Sequence, residues 1–125
     1  MKYFKRVDFK CKGTNCDGRG GNCGMDTVDY ELVDILDELR DYFDEEVYIN
    51  CGNRCLHHNI EVGGEDASMH MVSKAADIRV HNHRPAEVAD YLQLRYNGKY
   101  GIGRYNTFTH IDTRSTMARW DNRSK

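Results

Sequence analysis

Apolar residues recur at Val28, Leu32, Ile35, Leu36, Leu39 and Phe43, the spacing of one helical face. That pattern predicts a principal helix over 26–43, with Asp26 or Thr27 as its cap and Asp29 and Glu31 at the positive end of its dipole. A short β-rich run, Val47-Tyr48-Ile49-Asn50-Cys51, follows and ends at Gly52. Ala75-Ala76-Asp77-Ile78-Arg79-Val80 reads as a buried strand. Pro85 stands where it opens a second helix, running to about Tyr96 with Gly98 beyond it. Strands over 101–105 and 108–113 close the series. Two stretches have no period: 10–24, rich in Gly, Asn and Cys, and 54–68, which contains Gly63-Gly64. Irregular connections as long as the second usually carry function or disorder. The order helix, strand, strand, helix, strand, strand predicts an α+β fold, not alternating βαβ units.

Length and charge narrow the reading. The 125 residues fit one domain, 1–125, with the loop 10–24 as part of it. A formal charge of -2, from 18 basic and 20 acidic residues, argues against neutralising phosphates, so nucleic acid is not an expected partner. No run approaches the length of a membrane span, and Met1-Lys2-Tyr3-Phe4-Lys5-Arg6 lacks a signal-peptide core. Synthesis in the cytoplasm without membrane insertion is the expectation. Five cysteines, an odd number, exclude a fully paired disulfide scaffold within the chain.

Candidate chemistry lies with His70, Asp77 and His110. Two imidazoles and a carboxylate suit zinc, and three protein ligands leave a fourth tetrahedral position for water, as in catalytic sites. Zinc lowers the pKa of such water towards about 7 and polarises a carbonyl, the two requirements of amide hydrolysis. A single histidine is more often a surface or hydrogen-bonded residue. Asp77, flanked by Ala75-Ala76 and Ile78, is harder to dismiss, because a buried carboxylate needs a cation. Spacing alone leaves the two readings level.

Several motifs in one order tip that balance. Ser68-x-His70-x-x-Ser73-x-Ala75-x-Asp77 resembles the SxHxxGxAxD motif of the M15 metallopeptidases, the D-Ala-D-Ala carboxypeptidase group. Ile49-Asn50-Cys51-Gly52-Asn53-Arg54 resembles that family's strand ending in SGYR, and Asn59-x-x-Val62-Gly63-Gly64 its NxxVGG. Phe108-Thr109-His110-Ile111-Asp112-Thr113-Arg114 is similar to its FxHxDxR, followed by Ala118-Arg119-Trp120. Phe9-Lys10-Cys11 and Gly101-Ile102-Gly103-Arg104-Tyr105 fit its short members. The resemblance runs from about Tyr3 to Trp120.

It implies a hedgehog/D-Ala-D-Ala-peptidase-like fold, a small antiparallel sheet packed against helices. It also implies a zinc peptidase acting on peptidoglycan stem peptides, as a lytic endopeptidase or a carboxypeptidase. His70, Asp77 and His110 would be its metal ligands. Arg54 would hold a substrate carboxylate or carbonyl with its bidentate fork, against the plainer reading of a surface salt bridge. Ser68 would contact substrate or support a ligand, or simply cap a loop. Small members of the family are often phage lysins or prophage products, released to the wall by another protein. A monomer acting on the cell wall is therefore expected. The rival reading is a non-catalytic zinc-containing binding module, since relatives such as hedgehog signalling domains use the metal for structure or recognition.

Three departures qualify the resemblance. Ser73 replaces a glycine, which is a modest strain if that position needs a positive φ. Cys51 and Asn53 replace Ser and Tyr, so Cys51 and Cys55 bracket Arg54 and are open to a disulfide, metal binding or plain packing. Thr107 stands where some branches carry the general base. Asp112 is the candidate left for that role, or else an acceptor that orients an imidazole; His57, His58 and Glu61 are others. Cys11, Cys16 and Cys23 offer three thiolates to a second, structural zinc, but a loop disulfide or free thiols explain them as well, and the second zinc is not the preferred reading. His81-Asn82-His83 reads as a solvated turn. Tyr96, Tyr100, Tyr105 and Trp120 are candidates for a groove wall or for the core.

Overall fold

A computed structural model describes residues 1–124. Helix α1 spans Tyr30–Phe43. It starts later than its apolar period suggests because Asp29, not Asp26 or Thr27, is the cap, accepting from the Glu31 amide. Thr27 instead exchanges a hydrogen bond with the Ser73 hydroxyl. Leu32, Val33, Ile35, Leu36 and Leu39 are buried along one face of α1, as the spacing requires. Strand β1 is Val47–Cys51, α2 is Leu56–Glu61, β2 is Ala75–Val80 and α3 is Pro85–Arg95. Three four-residue strands follow: β3 at Gly101–Arg104, β4 at Thr109–Asp112 and β5 at Ala118–Asp121. Helix α2 lies inside the stretch expected to be irregular; its six residues are too few to show a period.

The sheet order is β1-β2-β4-β3-β5. Its first three pairings are antiparallel, but β3 and β5 run parallel, so the expected antiparallel sheet is in fact mixed. Ala76, Ile78 and Val80 of β2, Ile111 of β4 and Ile102 of β3 meet α1 and the α3 residues Val88, Ala89 and Leu92 in one apolar core. Strand alternation sends the next residues to the opposite face. The register aligns Cys51, Asp77, His110, Gly103 and Trp120 as one row across all five strands. A helix-covered face thus fixes a second face that carries Asp77, His110 and, two residues along β4, Asp112.

Candidate metal centre

Asp77 and His110 are direct cross-strand partners on β4, the central strand, and its neighbour β2. His110 Nδ1 lies 2.9 Å from Asp77 Oδ1, and His70 Nε2 lies 3.3 Å from the same oxygen. His70 comes from a 3-10 turn at Met69–Val72 that precedes β2. Ser68 caps that turn, its hydroxyl accepting from the His70 amide. The turn ends at Ser73 with φ 65, a left-handed conformation that explains why glycine would suit this position.

The far side of each imidazole is already committed. His70 Nδ1 donates to the Gly52 carbonyl at 2.7 Å, and His110 Nε2 donates to Asp112 Oδ2 at 2.7 Å. With those protons so placed, His70 Nε2 and His110 Nδ1 each present a lone pair to Asp77 Oδ1. His70 Nε2 is buried and makes no hydrogen bond. Two imidazole nitrogens facing one carboxylate oxygen make a set that a cation would satisfy. The 2.9 and 3.3 Å separations approach the edge, about 3.3 Å, of a tetrahedron with ligand bonds of about 2.0 Å. The residues fit a divalent ion of zinc's kind.

The ionisation of these groups expresses the same demand. Burial alone would lower both imidazoles. For His70 the carboxylate of Asp77 and the nearby Cys51 more than offset this, and for His110 Asp112 and Asp77 do so, leaving both above the ordinary value. Burial would raise Asp77, yet His110 and His70 hold it well below the usual carboxylate range. Asp112 is likewise desolvated, and His110 and Arg114 hold it low.

Asp112 is fully buried, and both its oxygens are engaged: Oδ2 by His110 and by Arg114 at 2.7 Å, Oδ1 by Arg114 Nε at 2.8 Å. A carboxylate so saturated is placed to orient an imidazole, the second of the two roles its sequence position leaves open. Glycines on β3 make room for this arrangement. A side chain at Gly101 would overlap the Asp112 carboxylate, and one at Gly103 would overlap the Trp120 ring. Trp120, from β5, packs against His110 with ring centroids 5.0 Å apart.

His70, Asp77 and His110 lie at the bottom of a groove of about 930 Å³. Arg54, Ser68, Arg114 and Trp120 also line it. Arg54 forms no ion pair among the described residues, and its buried Nε has no partner. Of the aromatic candidates, Tyr105 and Trp120 reach the groove, whereas Tyr96 binds Glu38 and Tyr100 binds Glu31. His57 pairs with Glu61, and His58 packs beside Gly13 and Cys16. Neither histidine lines the groove, nor does Glu61. Cys51 and Cys55 are both free thiols, and they part company. Cys51 sits 3.8 Å from His70 Nδ1 and shares a neighbourhood with Asp77, a placement the sequence signalled only by adjacency to Arg54. Because Nδ1 faces Gly52, we take Cys51 as a border of the donor set and His110 as its third member.

A sequence model of the family described as Peptidase M15 matches residues 7–112. The chain belongs to the M15 peptidase family. It is thus a metallopeptidase by kinship. No curated protein matches it. The match to M15 peptidases takes in His70, Asp77 and His110 and stops at Asp112, so β5 with Trp120 lies beyond it. Among the described residues, no helix of this M15 peptidase is long and apolar enough to cross a membrane.

Proposed function

We propose that this M15 peptidase hydrolyses an amide bond in peptidoglycan stem peptides, with zinc held by His70, Asp77 and His110. Two imidazole nitrogens facing the Asp77 carboxylate within one open groove carry this reading. Zinc supplies Lewis-acid chemistry there, activating water and polarising a carbonyl. The remaining work falls to the chain. Arg54, with its unpaired guanidinium in the groove, binds a carboxylate of the stem peptide, and the fork geometry orients the scissile amide over His70 and His110. Asp112 keeps the His110 Nε2 proton in place, so that Nδ1 faces inward. Trp120 and Tyr105 wall one side and shed water from the bond.

The proton acceptor is an acid at the rim. Glu65 and Asp66 both line the groove. The Glu65 carbonyl accepts from the Asn59 side chain and from the Ser68 amide, which anchors its backbone, so Glu65 is the preferred base. Substrate meets the site at the cell wall.

Mass analysis of products from defined muropeptides tests the whole reading. Release of a peptide or of D-alanine by the wild type is expected, with no release by Asp77→Ala. A folded, zinc-loaded wild type that releases nothing would point to a binding module. Glu65→Gln should lose turnover while retaining zinc; if Asp66→Asn does so instead, the acid is reassigned.

A further inference from the structure

Four sulfurs, those of Cys11, Cys16, Cys23 and Cys55, form a second cluster, each within 4.8 Å of the others. All are free thiols. Cys11 and Cys16 are 3.9 Å apart, far beyond the roughly 2.0 Å of a disulfide. The edge of a sulfur tetrahedron around zinc, with bonds of about 2.3 Å, is about 3.8 Å. Three thiols come from the 10–24 loop and the fourth from the cap of α2.

Apolar burial does not explain why this loop closes on itself. Between residues 10 and 24 the only buried side chain is that of Cys11. The backbone, by contrast, is laid out around the sulfurs. The Cys11 amide donates to Met25 O at 2.8 Å and the Cys16 amide to Gly21 O at 2.7 Å. Asn22 donates to the carbonyls of Cys11 and Gly13 at 2.7 and 2.6 Å. The His58 amide donates to Cys55 Sγ at 3.4 Å. Gly13 is wedged between the Cys16 sulfur and His58, where any side chain would collide with both.

We propose that Cys11, Cys16, Cys23 and Cys55 form a tetrathiolate zinc site that clasps the loop to the start of α2. Soft sulfur donors in this number select zinc over hard cations, and four protein ligands close the coordination sphere, the mark of a structural ion. On binding, the thiol protons pass to solvent, and the ion with the surrounding N–H groups offsets the thiolate charge. Cys55 adjoins Arg54, so the clasp also fixes the backbone that carries the arginine of the groove. The site uses none of the residues on which the proposed function rests.

The test uses the full chain purified under reducing conditions. Elemental analysis should find about two zinc ions per chain, and about one in a His70→Ala/His110→Ala variant. Cobalt loaded into that variant should give the sulfur-to-metal charge-transfer and tetrahedral bands of a thiolate site. Cys23→Ser, at the exposed member of the set, should weaken or abolish them. Differential alkylation of the wild type guards against variants that fail to fold: Cys51 alone should react readily until a chelator is added. Equal reactivity of all five thiols in the loaded protein, disulfides in the intact mass, or no metal in the histidine variant would each overturn the site. Loss of hydrolysis with this zinc retained would count against the proposed function only.

Discussion

The central strands and the N-terminal loop both gather metal-binding side chains, but by opposite means. On the strands, Asp77 and His110 are positioned by backbone pairing, and the other face of the same strands is sealed by Ala76, Ile78 and Ile111. The core would hold these two residues opposite each other with or without an ion. The loop has no such backing. Its thiols meet through a handful of polar links and the side chain of Asn22. The cost of gathering donors therefore differs: desolvated charge in the sheet site, chain entropy in the loop site.

Changes on either side should separate the two kinds of order. Among changes that spare the proposed ligands and base, Asp112→Asn should have the largest effect on function. It weakens the acceptor that orients His110 and leaves Arg114 with a poorer partner, so zinc affinity at the sheet site should fall about 10–100-fold, read by competition with a chelator. The fold, as seen by circular dichroism, should persist. Gly103→Ala should cost about 1–3 kcal/mol in denaturant unfolding, because the added methyl drives Trp120 off its place. Asn22→Ala should lose about 1–2 kcal/mol locally. Its signature is faster proteolysis within 10–24, with amide exchange in β2 and β4 unchanged. If both regions respond together, the contrast drawn above is wrong.

Two smaller effects refine it. Ser73→Gly relieves a positive φ beside the turn that bears His70 but removes the hydrogen bond to Thr27. A gain of no more than about 1 kcal/mol in thermal or chemical unfolding is expected. Glu38 joins the two helices of the apolar layer, accepting from Arg95 at 2.6 Å and from Tyr91 at 3.2 Å. Burial would raise its pKa, but Tyr96 and Arg95 hold it below the ordinary value. Its contribution is complete above the unfolded pKa of about 4.5 and disappears as the pH falls through the lower folded value. Glu38→Gln should therefore narrow the difference in melting temperature between pH 6 and pH 3, by a small amount because the group is partly exposed.

Much of this was legible in the residues. Helix α1, strands β1 to β4 and the proline-opened α3 follow from apolar period and punctuation, and motif order singles out His70, Asp77 and His110, which the fold brings into one groove. What escaped did so for definable reasons. Helix α2 is shorter than two turns, so no period announces it. Strand β5 alternates weakly and pairs in parallel with a strand that precedes it by some distance, a long-range choice that local pattern does not encode. The partner of Cys11, Cys16 and Cys23 stands far along the chain, and only the fold reveals that Cys55 joins them while Cys51 goes elsewhere. Alternation leaves Asp112 open to either role, since a side chain on the right face can serve both, and only the fold shows its oxygens engaged by His110 and Arg114.

The direct pairing of Asp77 with His110 turns the sheet into its own inspector. If β4 slipped by one residue against β2, Thr109 or Ile111 would stand opposite Asp77, and His110 would be pushed into oil. No half-correct molecule is available: a chain either has the register and the ion-binding corner together, or has neither. An ion that binds only the correct alignment removes slipped chains from the population by mass action. The reactive corner thus serves as a checksum on the folding of the protein that contains it.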